Sequence, residues 1–161
     1  MMTSSRISAG ILLWRPRGTG IEVLLGHPGG PFFARKDVGV WSILKGEPDA
    51  GEDDLAVLAR REFEEETGHA PPDGPAIPLG DVRQSGGKVV HCWALEGDLE
   101  PADAASNTFE MEWPPRSGRT HQFPEIDRVE WFAPAVARTK INAAQAAFLD
   151  RLEAALAERR P

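Results

Sequence analysis

Three glutamates, Glu62, Glu65 and Glu66, are the residues whose types and spacing most clearly indicate chemistry in this sequence. At about 100° per residue along a helix, all three fall on the same side as the apolar residues that precede them. An ordinary surface helix carries its carboxylates opposite its apolar stripe. The inward face of this predicted helix is therefore apolar first and acidic afterwards, whereas Glu64 points away and is expected to be solvated.

Carboxylates gathered on an inward face repel one another and are costly to bury without a counter-charge. A divalent cation is the simplest remedy, and carboxylate oxygens, as hard ligands, favour Mg²⁺ or Mn²⁺ over zinc. Mg²⁺ commonly takes part of its coordination from substrate phosphates, so the residues alone predict a metal site for a phosphorylated substrate. The alternative is a surface helix in which Arg60 and Arg61 pair with nearby glutamates, but this does not explain why the acids follow the apolar stripe.

Residues 45–68 resemble the Nudix box, in which a glycine and a spaced glutamate are followed by Arg-Glu-apolar-x-Glu-Glu-x-Gly. The matching residues are Gly46, Glu52, Arg61, Glu62, Phe63, Glu65, Glu66 and Gly68. Eight residues separate Glu52 from Arg61, one more than in the family's usual pattern, and His69 occupies a position that is usually apolar. We expect the extra residue at the start of the helix, around residues 53–54, where it leaves the helical carboxylates unaffected.

The resemblance implies a metal-dependent hydrolase that cleaves a phosphoanhydride bond, most readily in an NTP or a dinucleoside polyphosphate. Mg²⁺ or Mn²⁺ would lower the pKa of a bound water and offset charge on the attacked phosphorus. The residues expected to hold the metal are Glu62, Glu65, Glu66 and Gly46. Arg61 would orient the carboxylates through ion pairs.

The general base that removes the proton of the attacking water is left open by the sequence. Glu62 is eligible by resemblance, and Glu125 and Glu130 are eligible because an acid near this later strand often assists in the family. Three other functions also remain open. One is an ADP-ribose or sugar-nucleotide pyrophosphatase, the second is a nucleotide-binding sensor that kept the fold and lost the reaction, and the third is a structural metal-binding protein.

Lys45 and Trp41 are candidates for substrate binding because they lead directly into the acidic helix. The stretch resembles the W-x-x-P-K-G approach of Nudix enzymes acting on dinucleoside polyphosphates, with Leu44 in the place of the proline. Lys45 is expected to neutralise a phosphate oxygen. Trp41 either stacks on a base or belongs to the core, and a tryptophan in a strand favours the core.

Further cations occur in two irregular segments. Arg35 lies in a Gly- and Pro-rich loop at residues 26–37, where it either reaches phosphates or is solvated. Arg116, Arg119 and His121 follow a Pro-Pro pair in residues 106–121, a segment similar to one in bacterial Nudix proteins described as predicted NTP pyrophosphohydrolases. These three are either a phosphate clamp or part of a solvated loop.

The remaining pattern predicts an α+β fold, in which the Nudix resemblance implies an α/β/α sandwich with a mixed sheet between helices. We predict strands at residues 7–14, 21–25, 40–44, 79–84, 88–95, 109–113 and 126–132. We predict helices at residues 53–67, with Asp53 or Asp54 as N-cap, and at 142–159.

Composition narrows the class of protein. The chain has 161 residues, 41% of them apolar and 27% charged, which predicts one soluble domain over residues 1–161. A net charge of −7 argues against nonspecific nucleic-acid binding, and no apolar run is long enough to span a bilayer. The single cysteine, Cys92, is typical of a reducing compartment. We expect a cytoplasmic monomer or homodimer that takes a small nucleotide substrate.

Overall fold

The computed structural model describes residues 6–159, so residues 1–5 and 160–161 of the predicted domain lie outside the described part. The strands are β1 (Ile7–Arg17), β2 (Gly20–Pro28), β3 (Leu44–Gly46), β4 (Ile77–Arg83), β5 (Val89–Glu96), β6 (Thr108–Glu112), β7 (Thr120–Pro124) and β8 (Ile126–Phe132). The helices are α1 (Leu55–Thr67), α2 (Pro134–Lys140) and α3 (Ala146–Glu158), with one-turn 3₁₀ helices at Pro101–Asp103 and Ala143–Gln145.

A mixed six-stranded sheet forms the centre of the fold. Five strands run in the order β4-β5-β1-β2-β8, and β3 pairs with the first half of β1. Strand β1 is parallel to β5 and antiparallel to β2 and β3. The predicted β1–β2 hairpin is confirmed, with Arg17 opposite Gly20 across its turn. Strands β6 and β7 form a separate two-stranded ribbon.

Helices cover both faces of the sheet because successive residues of β1 and β2 point to opposite sides. On one face Leu58, Ala59 and Phe63 of α1 pack on a cluster that includes Ile11 and Leu13. On the other face α2 and α3 pack on a second cluster, to which α3 contributes Phe148, Leu149 and Leu152. The predicted α+β class and the layered arrangement are confirmed.

Two predicted elements differ from the structure, and two elements, β7 and α2, lie where the sequence predicts none. The strand at residues 40–44 shortens to Leu44–Gly46, because Trp41 and Ser42 make only isolated bridges. The helix predicted from residue 142 begins at Ala146, since the Asn142 side chain caps a 3₁₀ turn before it. Residues 120–124 form β7 although their sequence carries no strand signal, because they pair with β6.

Within residues 6–159, no helix combines the length and the apolar character that crossing a membrane would need.

Candidate active site

Two capping interactions fix the ends of α1 and therefore the rotation of its acidic face. The side chain of Asp54 accepts hydrogen bonds from the backbone N–H groups of Ala56 and Val57, which are otherwise unsatisfied in a first turn. At the other end Gly68 has a φ of 76°, the left-handed conformation that glycine adopts most easily, and its N–H donates to the carbonyl of Glu64. Both ends agree with the predicted helix.

The exposure of the glutamates along α1 follows the predicted inward face. Glu62 is 8% exposed and Glu66 is 7% exposed, whereas Glu65 is half-buried and Glu64 is exposed. Phe63, the residue after Glu62, is buried in the core. The helix therefore uses an apolar side chain as its anchor and presents two buried carboxylates beside it.

These two carboxylates are only partly compensated. Burial, followed by the charge of Glu65, raises the pKa of Glu62 to about 7. Burial and the charge of Glu62 raise the pKa of Glu66 well above its ordinary value, although the backbone N–H of Lys45 donates to its carboxylate. The Oε2 atom of Glu66 is buried without any hydrogen-bond partner. Such an oxygen is a strong acceptor with an unmet need for a proton or a cation.

Arg61 organises the outer edge of this acidic face. Its guanidinium donates to both carboxylate oxygens of Glu52, at 3.0 and 2.7 Å, and to Glu65 at 2.7 Å. Its Nη1 atom also lies 3.3 Å from Glu62. The extra residue between Glu52 and Arg61 thus does not prevent their pairing. Arg61 and Glu52 position the carboxylates, as the sequence predicts for Arg61.

Gly46 lies directly against the carboxylate of Glu62, which would have to move if this residue carried a side chain. A Cβ atom at this position would lie 2.1 Å from the carboxyl carbon of Glu62, far inside van der Waals contact. Strand β3 therefore approaches α1 closely enough for its backbone to lie against the acidic face. The match of Gly46 to the motif has a local explanation in this contact.

A cleft of about 340 Å³ opens over this face. Its acidic lining comes from Glu62, Glu65 and Glu66 of α1, from Glu47 just after β3, and from Glu125, which directly precedes β8. Partial burial raises the pKa of Glu125. The cleft is thus lined by carboxylates from three segments of the sequence.

The basic lining of the same cleft consists of Lys45 and Lys88. Burial, followed by the neighbouring charge of Lys88, lowers the pKa of Lys45 to about 8. The cleft therefore holds carboxylates and ammonium groups together, an arrangement suited to a ligand that carries both phosphate oxygens and a cation.

Lys88 and Asn107 line the cleft but were not among the residues that the sequence singled out. Lys88 follows the Ser85-Gly86-Gly87 turn and belongs to no recognisable motif. Its only signal is a lone lysine placed where a tight turn meets a strand.

Two of the predicted residues lie elsewhere. Trp41 is 1% exposed, its Nε1–H donates to Asp37 at 2.8 Å, and its ring packs edge-on against Phe132. The prediction that Trp41 binds substrate is corrected, because a ring enclosed in the core has no free face for a base. Glu130 is exposed on β8 and does not line the cleft, so of the two later acids the structure brings only Glu125 to the site.

The predicted cations of the irregular segments also lie outside the cleft. Arg35 is exposed on the loop between β2 and β3, and Arg116 and Arg119 are exposed near the turn of the β6–β7 ribbon, together with His121. Arg116 has a φ of 63° at this turn. The structure as described favours the solvated alternative for these side chains.

The donors of the cleft suit a hard divalent cation. Glu62 and Glu66 supply carboxylate oxygens, including the partnerless Oε2 atom of Glu66. Such oxygens are the ligands that Mg²⁺ and Mn²⁺ prefer. Among residues 6–159 no three His, Cys, Asp or Glu side chains already converge as a metal cluster. The carboxylate of Glu65 accepts from Arg61 and is therefore turned away from convergence with the other two carboxylates.

Comparison with known proteins identifies the family. A family model described as the NUDIX domain matches residues 4–152. The chain belongs to the Nudix family, and the residues that match the family motif lie in β3, in α1 with its C-cap Gly68, and in the loop between β3 and α1. A comparison with curated proteins gave no significant match.

Solved structures share the fold. An Ap4A hydrolase from C. elegans, solved as a binary complex, matches with a TM-score of 0.66 and 20% identity over 94% of this chain and 98% of that chain. The NUDIX domain of Shewanella oneidensis NrtR, solved with ADP ribose, matches with a TM-score of 0.64 and 16% identity over 96% and 90%. A mutT/nudix family protein from Listeria innocua matches with a TM-score of 0.64 and 17% identity over 98% and 97%.

Proposed function

We propose that this protein hydrolyses a phosphoanhydride bond in a nucleoside polyphosphate and requires Mg²⁺ or Mn²⁺ to do so. The observation that carries the proposal is the pair of buried carboxylates, Glu62 and Glu66, with the Oε2 atom of Glu66 left without a partner in the cleft. Membership of the Nudix family supports a hydrolase acting on pyrophosphate-containing substrates. The specific substrate is the finer part of the proposal.

Glu62, Glu65 and Glu66, with the backbone at Gly46, would hold the metal. When bound, the cation supplies Lewis-acid polarisation of a phosphate and a water of lowered pKa. Lys45 neutralises a non-bridging phosphate oxygen, and its partly buried ammonium makes that contact stronger than it would be in water. Arg61 holds Glu52 and Glu65 in place throughout.

Glu125 is the preferred general base. It lies in the cleft, whereas Glu130 does not, and the raised pKa of its carboxyl brings it closer to the pH at which proton transfer is most efficient. It can take the proton of the attacking water while the α1 carboxylates remain with the metal. Glu62 stays as the second possibility, since it is also buried in the cleft.

An NTP or a dinucleoside polyphosphate is the preferred substrate class, on the basis of the Lys45-Gly46 approach to α1. ADP-ribose or another sugar nucleotide is the second candidate, because a domain of similar fold was solved with ADP ribose. Both classes present a diphosphate to the same cleft. They differ in what lies beyond it, so substrate comparison separates them.

The test is a panel of NTPs, oxidised NTPs, diadenosine polyphosphates and ADP-ribose, each with Mg²⁺, Mn²⁺ or EDTA. Release of phosphate and nucleotide is measured, and Glu66→Gln serves as the inactive control. Metal-dependent turnover of one class, lost in the variant, supports the proposal and identifies the substrate. Nucleotide binding without turnover of any member would instead favour a sensor.

A further inference from the structure

We infer that Lys88 and Lys45 form a paired cation clamp for the diphosphate part of the ligand, and that buried Gln145 positions the two lysines. The inference rests on the proposed function to the extent that the ligand carries phosphates. It assigns roles to Lys88 and Gln145, which lie on segments separate from the family motif.

The two lysines lie in the lining of the same cleft. Both are partly buried there, and the charge of Lys88 acts on Lys45. The chain has four lysines, and in residues 6–159 only Lys140 forms an ion pair, with Asp37. Two ammonium groups in one cleft repel each other, and the charges of Glu66 and Glu47 offset part of this cost for Lys45. An anion bound between the two lysines would offset the rest.

The backbone around Lys88 is fixed by a tight turn. Gly86 and Gly87 have φ values of 86° and 90°, which only glycine adopts readily. The N–H of Gln84 donates to the carbonyl of Lys88 at 2.8 Å, closing the turn at the start of β5. Lys88 is therefore presented from a defined position.

Lys45 is fixed from the other side. Its residue lies in β3, opposite Gly10 of β1, and a Cβ at position 10 would come within 2.6 Å of the Cβ of Lys45. Its backbone N–H also helps to lower the pKa of Glu66. The backbone and the Cβ of Lys45 are therefore held in a defined position.

Gln145 connects the two lysine-bearing segments from behind the cleft. It is 1% exposed, its Oε1 accepts from the N–H of Ile43 at 2.9 Å, and its Nε2 donates to Gln84 at 2.8 Å and to Ser42 at 3.0 Å. Ile43 comes two residues before Lys45, and Gln84 is the residue that holds Lys88. A buried side chain amide with all of these bonds fixes the separation of the two segments.

The cleft suits a bound diphosphate because it carries both carboxylates and ammonium groups. The α1 carboxylates occupy one side of the cleft and would meet the phosphates through a cation. The two lysines contact phosphate oxygens directly, by charge-assisted hydrogen bonds. A clamp of this kind acts on binding rather than on the chemical step.

The first test needs no turnover. Binding of inorganic diphosphate to the whole protein is measured by calorimetry in EDTA. We expect detectable binding, weakened at least about 10-fold by Lys88→Met and by Lys45→Met and unchanged by Lys36→Met, since Lys36 is an exposed lysine outside the cleft. Absence of binding by the unmodified protein, or equal binding by Lys88→Met, would overturn the clamp.

A second measurement tests Gln145 as a positioning residue. Gln145→Met keeps the shape of the side chain but removes its three hydrogen bonds, so diphosphate affinity should fall several-fold at a temperature well below the variant's Tm. A lowered Tm with unchanged affinity would show that Gln145 is only structural. Where the panel has identified a substrate, Lys88→Met should raise KM about 10-fold and leave kcat within about threefold. If no substrate of the panel is turned over, the proposed hydrolase function fails, whereas the binding of diphosphate still decides whether the clamp exists.

Discussion

The acidic face of α1 and the β6–β7 ribbon both carry clustered charge, but the fold treats them differently. The glutamates of α1 converge in the cleft, whereas Arg116 and Arg119 extend into solvent. Phe63, which follows Glu62 in the helix, is buried in the core, so packing of the helix carries the adjacent carboxylates into the protein. Among residues 6–159, no helix packs extensively on the ribbon to impose a comparable constraint, so its cations stay hydrated.

The apolar residues of the ribbon explain which of its faces is used for packing. Phe109 lies 6.0 Å from Phe123 between ring centroids, and Trp113 meets Phe32 edge-on at 5.5 Å. A Cβ on Gly30 would contact the ring of Phe109. The aromatic face thus contacts the loop before β3, and the charged residues beyond it are left at the turn. Charged side chains form a candidate reaction site only where packing of the fold brings them together.

The largest contrast is expected between two neighbouring glutamates of α1. Glu66→Gln should lower kcat/KM at least about 100-fold, because it removes a buried charge from the cleft. Glu64→Gln should change it less than about twofold, since that side chain is exposed on the other side of the helix. Steady-state kinetics on both variants measures the difference, and equal losses would contradict the face assignment.

A pH titration of stability sharpens the same comparison. The pKa of Glu62 rises from 4.5 to about 7 on folding, so between these values the folded state binds more protons than the unfolded state. Stability without metal is therefore fully present at low pH and should fall by about 2 kcal/mol as pH rises from 5 to 8. Denaturant unfolding in EDTA measures this slope.

Three controls accompany the titration. Glu62→Gln should reduce the slope, whereas Glu110→Gln, on the exposed ribbon, should leave it unchanged. Saturating Mg²⁺ should also reduce it, because a bound cation compensates the carboxylates. A slope of opposite sign in the unmodified protein would show that burial does not control Glu62.

The smallest effect is expected on the ribbon itself. The double variant Arg116→Ala and Arg119→Ala should change KM less than about threefold, because both side chains are solvated and lie outside the cleft. Lys45→Met is the matched comparison inside the cleft, and we expect it to raise KM at least about 10-fold. A 10-fold rise of KM in the ribbon variant would show that the ribbon reaches the ligand.

The sequence predicted α1 and the burial of its acids because helical periodicity is a local property that one turn repeats to the next. It did not choose between Glu125 and Glu130, since the choice depends on where β8 begins relative to the cleft. The sequence around Trp41 is compatible with a ring in the core and with a ring that stacks on a base, so only the structure places it. Lys88 and Gln145 could not be found from the sequence, because their roles depend on contacts between segments distant along the chain.

The parallel pairing of β1 with β5 places Ile7 opposite Val89, so a long stretch of chain is closed into a loop when the two strands meet. Pairings of this kind form late, since the entropy of closing the intervening loop is lost before any contact compensates it. Lys88 directly precedes β5 and reaches the cleft only when that closure is complete. Helix α1 can form early with all of its glutamates, yet ligand binding begins only with the finished sheet, and any bound nucleotide then stabilises the whole fold rather than one part of it.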